Sequence, residues 1–595
     1  ITTIDETNEV KKDVFSSIGL SIGLIILVLF LYFGRILLLS TILIPLISGM
    51  IWTAGVFFLF ESYLNLIAAF IFAILLGLGI DFGIHCLSRY NQEKENGLSM
   101  SDALKVTLTE TGFAVIIGGA TTVAAFLTLL LADFRGFSQF GKLASLGIVF
   151  SLTAIYIVFP LLITIFEKHF GGVKGFKNYY VIIFAKLFKK KELKPEFPFV
   201  KTIIFITFFL LIGSSVLLIV KPIKFEYNFN KLGKKDGKRE MIQSKYKSAI
   251  ENSLSPTVIL TDSKEETKKI HDALEELTKT FTDIVPQPAI FPFIGEYNVY
   301  VTYNMTESIK TAASVYSFYP EQQEDKYQLL QDIDGMLTKS RIKKLKKEEQ
   351  ESIEELKPYL TKATPFKIND LPEFTKNLFM DKSGNFDKML FLYVKLDTSD
   401  GRNAIKFAKE IRSIKVDNKK LKVTGQHLIF ADILTLMIKD GIFISFLALG
   451  VIYLLLLITS RSLKGSILMI MPLILGMLFT FALMSILGLK LNFYNIIVIP
   501  SLIGMGIDNS IHLYHRIKED KSGNVLEPYS KIIASISLAT ITTIIGFAGL
   551  LTANHYGLNS IGILTIVGMT AMWMIVAFSM PAFMQYMVKR KKNNN

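Results

Sequence analysis

"GLGIDFGIH" at residues 77–85 interrupts a run of Leu, Ile, Ala and Phe with an acid and an imidazole, and residues 504–512 repeat the pattern as "GMGIDNSIH". An ionised Asp at the centre of a membrane span costs roughly 2.5–3.5 kcal/mol even on the gentler insertion scale. Asp81 and Asp508 stand at matched positions, so that cost is offset by pairing or by function. His85 and His512 follow four residues later, which on a helix puts each on the face of its Asp.

The flanking runs qualify as spans by length and composition. The chain has 595 residues, 51% of them hydrophobic, with a mean hydropathy of +0.43. A spanning helix needs about 20 mostly apolar residues. Eleven runs meet that requirement: 14–33, 37–59, 64–88, 112–131, 142–166, 200–220, 439–459, 465–487, 492–515, 532–552 and 560–588. Between Lys221 and Asp440 the texture is charged and mixed, as in soluble domains. The net charge is +14, and its placement carries the information. A Lys-rich stretch over 168–199 and the tail "KRKKNNN" at 589–595 are basic, as are two short loops flanked by Arg89, Lys94 and Lys105 and by Arg516, Lys518 and Lys531. The positive-inside rule makes all four cytoplasmic. Counting spans then places Ile1 and residues 221–438 on the outer face, and the parity agrees at every loop. The basic clusters abut spans, so they set topology rather than bind nucleic acid. The single cysteine, Cys86, lies within a span, so no intramolecular disulfide forms. The opening "ITTIDETNEVKKD" lacks the basic-then-apolar pattern of a secretory signal.

The chain repeats itself. At an offset of 427, Leu64 meets Leu491, Pro45 meets Pro472, Gly49 meets Gly476 and Lys12-Asp13 meets Lys439-Asp440. Beyond the Asp motif the offset falls to 421: Thr121-Thr122 meets Thr542-Thr543, Phe126 meets Phe547, Gly141 meets Gly562 and Pro160 meets Pro581. One further span and an outer domain separate the copies, so both keep one orientation, as in a parallel repeat about an axis along the membrane normal. Ile1 aligns with Leu428, so the expectation is that a first span and a first outer domain precede this sequence.

The expected organisation is a lead-in (1–13), a first helix repeat of five spans (14–167), a basic cytoplasmic loop (168–199), a span opening the second half (200–220), an extracytoplasmic α/β domain (221–438), a second helix repeat (439–588) and a basic tail (589–595). In the α/β domain, 256–280 reads as strand, turn and amphipathic helix. Residues 389–414 read the same way and lead to a strand in "KLKVTG". Two such units predict a split βαβ, ferredoxin-like arrangement. The charged segment 322–361 between them predicts a solvated helical hairpin. No metal cluster, nucleophile elbow or phosphate loop is visible, so the chain does not read as an enzyme or a cofactor carrier.

The candidate functional residues follow from the repeat. Asp81 and Asp508 are the candidate proton carriers. His85, His512, Thr121, Thr122, Thr542 and Thr543 are candidate supports, the threonines offering hydroxyls to the carboxylates. Glycines 77, 79, 504 and 506 are expected to let the two Asp helices pack against each other.

These motifs, with "GGATTVAAF" at 118–126, "ATITTIIGF" at 539–547 and "VTGQHLIFADI" at 423–433, resemble the resistance-nodulation-division (RND) superfamily, in its MMPL branch. Within that branch the similarity is to hopanoid-type lipid exporters, relatives of Patched and the sterol-sensing proteins. The resemblance covers nearly the whole chain. It implies a polytopic α-helical membrane fold and a proton relay at Asp81 and Asp508. It also implies export of a lipid or other hydrophobic molecule from a bacterial inner membrane through periplasmic domains. A Tyr follows each relay Asp in mycobacterial members; Phe82 and Asn509 stand there instead. The coupling ion is expected to be H⁺, with Na⁺ as the alternative. A homodimer or homotrimer and a periplasmic partner protein stay open as assemblies. The alternatives are a SecDF-like protein-translocation motor and a receptor-like, sterol-sensing protein.

Overall fold

The computed structural model describes residues 2–63, 71–170, 197–228, 231–233, 256–287, 297–304, 306–520 and 525–594. It divides into two units, residues 1–236 with 433–595, and residues 237–432. The first is a helical bundle. Among the described residues ten helices are long and apolar enough to cross a membrane: Ser16–Phe33, Ile36–Phe60, Met100–Leu131, Arg135–His169, Val200–Val220, Gln426–Ser460, Leu463–Leu487, Asn495–Glu519, Leu526–Thr552 and Tyr556–Arg590. The expected span 64–88 begins at residues outside the described ones, and its described part is the helix Ile71–Glu95. The basic loop likewise falls largely outside them, at 171–196. The lead-in is helical from Thr2 and continuous with its span, as Gln426–Ser460 is in the other repeat.

The repeat is visible as packing. Pro45 and Pro472 both lie inside their helices. A Cβ at Gly49 would lie 2.8 Å from Ser151 Cα, and one at Gly476 2.9 Å from Met572 Cα. Ser151 and Met572 are themselves repeat mates at the offset of 421. In each half, then, the same glycine lets the second helix of the repeat touch the fifth at backbone distance. One apolar core runs through both halves, including Ile80, Leu75, Ile148, Ile507, Leu502 and Leu564.

The second unit is built on a four-stranded sheet. Its strands are β1 (Thr257–Leu260), β2 (Ile309–Ala313), β3 (Met389–Val394) and β4 (Lys422–Thr424). Their order is β2-β3-β1-β4, with every neighbour antiparallel. Helix Lys264–Thr278 follows β1 and helix Gly401–Ser413 follows β3. This is the predicted split βαβ, ferredoxin-like topology. Both helices start on side-chain caps: Ser263 Oγ accepts from Glu266 N–H at 3.2 Å and the Asp400 carboxylate from Arg402 N–H at 3.0 Å. Burial alternates along β3, so Leu390, Leu392 and Val394 face a core with Ile259, Phe407 and Ile411. The charged segment forms helices Gln323–Met336 and Lys347–Lys362, which pack on each other. Reading periodicity alone missed β2 and the antiparallel hairpin Thr280–Gln287 with Tyr297–Asn304.

Candidate functional site

Asp81 lies mid-way along Ile71–Glu95, the first Asp helix. The second Asp helix is broken at Ile507, so Asp508 opens its latter segment, Asp508–Glu519. Met100–Leu131 and Leu526–Thr552 are the first and second Thr helices. The expectation that glycines 77, 79, 504 and 506 let the two Asp helices pack against each other is corrected: Gly77 and Gly504 face the other half's Thr helix, and Gly79 and Gly506 face helices of their own half. Each Asp helix makes its main contact across the repeat axis with the Thr helix of the other half. Two glycines make this contact close. A Cβ at Gly77 would lie 3.1 Å from Thr543 Cα, and one at Gly504 3.0 Å from Ala125 Cβ.

The carboxylates are consequently bonded crosswise. Thr543 Oγ1 donates toward Asp81 at 3.1 Å, and Thr542 Oγ1 stands 3.3 Å from the same carboxylate. Thr122 Oγ1 stands 3.1 and 3.2 Å from the two oxygens of Asp508. Thr121 is not brought in: its hydroxyl donates to the Gly118 carbonyl of its own helix at 2.7 Å. A hydroxyl has one proton and two lone pairs. Thr122 and Thr543 can therefore donate to an ionised carboxylate and accept from a protonated one, holding the contact in both states. Residues 74–80 and 82–90 are buried, yet Asp81 between them keeps accessible surface, and Asp508 does the same between buried 501–507 and 509–514.

His85 and His512 are buried, at 4% and 3% exposure. Their rings stack across the axis with centroids 3.9 Å apart and planes 14° from parallel. One turn further, a polar cluster ties the halves together. Arg89 contacts Glu93 at 2.7 Å, Glu110 at 2.5 Å and Glu519 of the other half at 3.4 Å. Arg516 donates to Gln92 Oε1 at 3.2 Å. At the offset of 427, Arg516 is the mate of Arg89 and Glu519 the mate of Gln92, so one contact is made twice. The sequence reading used Arg89 and Arg516 only for topology; the offset would have paired them. At the opposite end of the interface the Asp440 carboxylate accepts from Phe134 N–H at 2.9 Å.

A family model described as the MMPL family matches residues 1–175 and 305–594. A putative membrane protein of Methanocaldococcus jannaschii, MJ1562, is 37% identical over 28% of this chain and 42% of its own length. The hopanoid transporter HpnN of Rhodopseudomonas palustris is 21% identical over 96% of this chain and 67% of its own length. The crystal structure of SecDF, a translocon-associated membrane protein from Thermus thermophilus, superimposes with a TM-score of 0.55 at 12% identity. It covers 98% of this chain and 62% of SecDF, a likeness of fold alone. The chain thus spans about two thirds, or less, of the length of these proteins.

Proposed function

This chain belongs to the MMPL family of the RND superfamily, and on that premise we propose that it is a proton-driven transporter exporting a lipid or other hydrophobic molecule from a bacterial inner membrane. The observation that carries the reading is the crosswise bonding of Asp81 to Thr543 and of Asp508 to Thr122. Because each carboxylate is held by the opposite half, its charge state acts on the interface and not within one half. In the ionised state the two carboxylates repel each other, and each accepts a hydrogen bond from a hydroxyl of the other half. Protonation removes the repulsion and reverses the direction of each hydrogen bond. The halves shift against each other in response. The motion reaches the α/β domain along the helices joined to it in sequence, Val200–Val220 and Gln426–Ser460. One charge crossing 100 mV supplies about 2.3 kcal/mol, comparable with the cost of remaking these bonds.

The test uses the full-length protein in cells carrying wild type, Asp81→Asn or Asp508→Asn at equal abundance. Lipids of the inner and outer membranes are compared by mass spectrometry. Retention of one lipid class in the inner membrane in both variants is expected, and it names the substrate. An unchanged distribution in both removes the lipid reading and favours the protein-translocation alternative. Replacing Na⁺ in the same cells separates H⁺ from Na⁺ coupling.

A further inference from the structure

We propose that the two matched carboxylates are inequivalent, and that protons pass to the cytoplasm from Asp508 through His512 and His515, along the groove between the second Asp helix and the first Thr helix. The inference rests on the proton-driven reading above and adds the path.

Three departures from the repeat lie on the two helices that bound that groove, although the second of them packs on the first Asp helix. The first is His515 itself. Asp508, His512 and His515 are spaced i, i+4, i+7, one face of a helix. The mate stripe in the first half is Asp81, His85 and Ser88. A serine hydroxyl relays a hydrogen bond but does not store a proton near neutral pH; an imidazole does. The second is the Thr helix that faces them. It contains a π-helical turn at Thr107–Thr111, whereas Leu526–Ala548 of the second half is regular α-helix. Such turns leave backbone groups off the regular ladder and concentrate at functional sites. The third is the break at Ile507, which puts Asp508 at a helix start while Asp81 sits mid-helix.

His515 is placed to continue the path. Its ring lies edge-on to Phe113 at 5.8 Å, on the same Thr helix that bonds Asp508 through Thr122. Its Nε2 is buried and has no hydrogen-bond partner among the described residues. A buried, unpaired ring nitrogen is costly unless a water molecule or a transient proton uses it. The titratable and charged groups around it are His512 one turn above and Tyr514 and Lys518 on its own helix, which also carries Arg516 and Glu519. Glu110 and Glu519 are bridged by Arg89 at the basic end of the bundle. They are acceptors at the mouth. In each hop an N–H bond forms on one ring nitrogen as the N–H on the other breaks, so the imidazole returns neutral.

The experiment uses full-length protein in liposomes of the host's own lipid extract, with an enclosed pH-sensitive dye and an imposed pH step. The variants are Asp81→Asn, Asp508→Asn, His515→Gln, His515→Ala with and without added imidazole, and the mirror control Ser88→Ala. Loss of proton uptake in both Asp variants is expected. His515→Gln should lower uptake by roughly tenfold or more, imidazole should restore His515→Ala, and Ser88→Ala should match wild type. Imidazole rescue is a response that a packing defect does not give, and it decides the case if the Gln variant folds poorly. If the Asp variants lose uptake while His515→Gln keeps it, or if Ser88→Ala falls as far as His515→Gln, the path is refuted and the coupling reading stands. If the Asp variants conduct like wild type, both fall.

Discussion

Removing one hydroxyl at a time measures the crosswise bonds. Thr122→Val keeps the shape of the side chain and deletes the hydroxyl, which is Asp508's only side-chain hydrogen-bond partner among the described residues. A hydrogen bond to a charged group is worth about 1.5–3 kcal/mol, and one to a neutral group about 0.5–1.5. Thr122→Val should therefore cost about 1.5–3 kcal/mol while Asp508 is ionised, roughly 10- to 150-fold in the folding equilibrium. Thr543→Val should cost less, because Thr542 remains 3.3 Å from Asp81. The double variant Thr542→Val/Thr543→Val should approach the single Thr122→Val. Thr121→Val should cost only a neutral hydrogen bond, since its hydroxyl serves Gly118. Tryptophan-monitored unfolding in mixed micelles, at acid and alkaline pH, gives the comparison. The cost of Thr122→Val should grow with pH, because deprotonation strengthens the lost bond. A silent Thr122→Val, or a Thr121→Val of equal cost, would refute the crosswise assignment.

Three further outcomes are expected. Gly77→Ala forces a methyl to within 3.1 Å of the Thr543 backbone, so it should impair transport despite the roughly 0.5–1 kcal/mol that Ala gains over Gly in a helix. Gly213→Ala, which meets open space, should be neutral or stabilising in the same thermal and transport assays. His512→Phe should retain the stack on His85 and fold normally yet lose transport. His512→Ala should also lose about 0.5–1.5 kcal/mol of ring pairing in thermal unfolding. In the α/β domain, burial holds His271 below the usual histidine range, against the opposing pull of Glu275, Asp272 and Glu321. The folded state then binds fewer protons than the unfolded one. That stability is complete above about pH 6.5 and is lost as pH falls through the lowered value. Hydrogen exchange in helix Lys264–Thr278 of the intact protein should therefore lose protection on acidification, and His271→Gln should flatten the response.

Much of this architecture is written in hydropathy and spacing. Each span declares itself as an apolar run of sufficient length, and the repeat fixes which spans correspond. The two β-α units were legible for the same reason. Their helices carry an apolar stripe that buries Ile270 and Leu274 in one and Phe407 and Ile411 in the other. Strand β2 was not legible. Its stretch Ile309–Ala313 pairs irregularly with β3, shifting register between Ile309 and Thr311, so its burial does not alternate as β3's does. Its place in the sheet comes from pairing with residues some 80 positions away, which no local pattern records. The parallel pair Phe225–Glu226 with Leu491–Asn492 is hidden likewise: two residues on each side are too short for a period.

The site divides along the same line. The repeat identified Asp81, Asp508, His85, His512 and the threonines as matched sets, because a fixed offset maps each onto its mate. It could not say which carboxylate meets which hydroxyl. Pairing Asp81 with Thr122 and Asp508 with Thr543 respects the offsets as well as pairing Asp81 with Thr543 and Asp508 with Thr122. Both arrangements have the same two-fold symmetry and the same chemistry. Only helix packing chooses between them, and it chooses through Gly77 and Gly504, whose missing side chains admit the opposite Thr helix. The choice matters mechanically. Bonds within a half would let each carboxylate titrate without disturbing the interface. Bonds across it make every protonation a change in the contact between two otherwise similar bodies, which is what the proposed proton coupling requires.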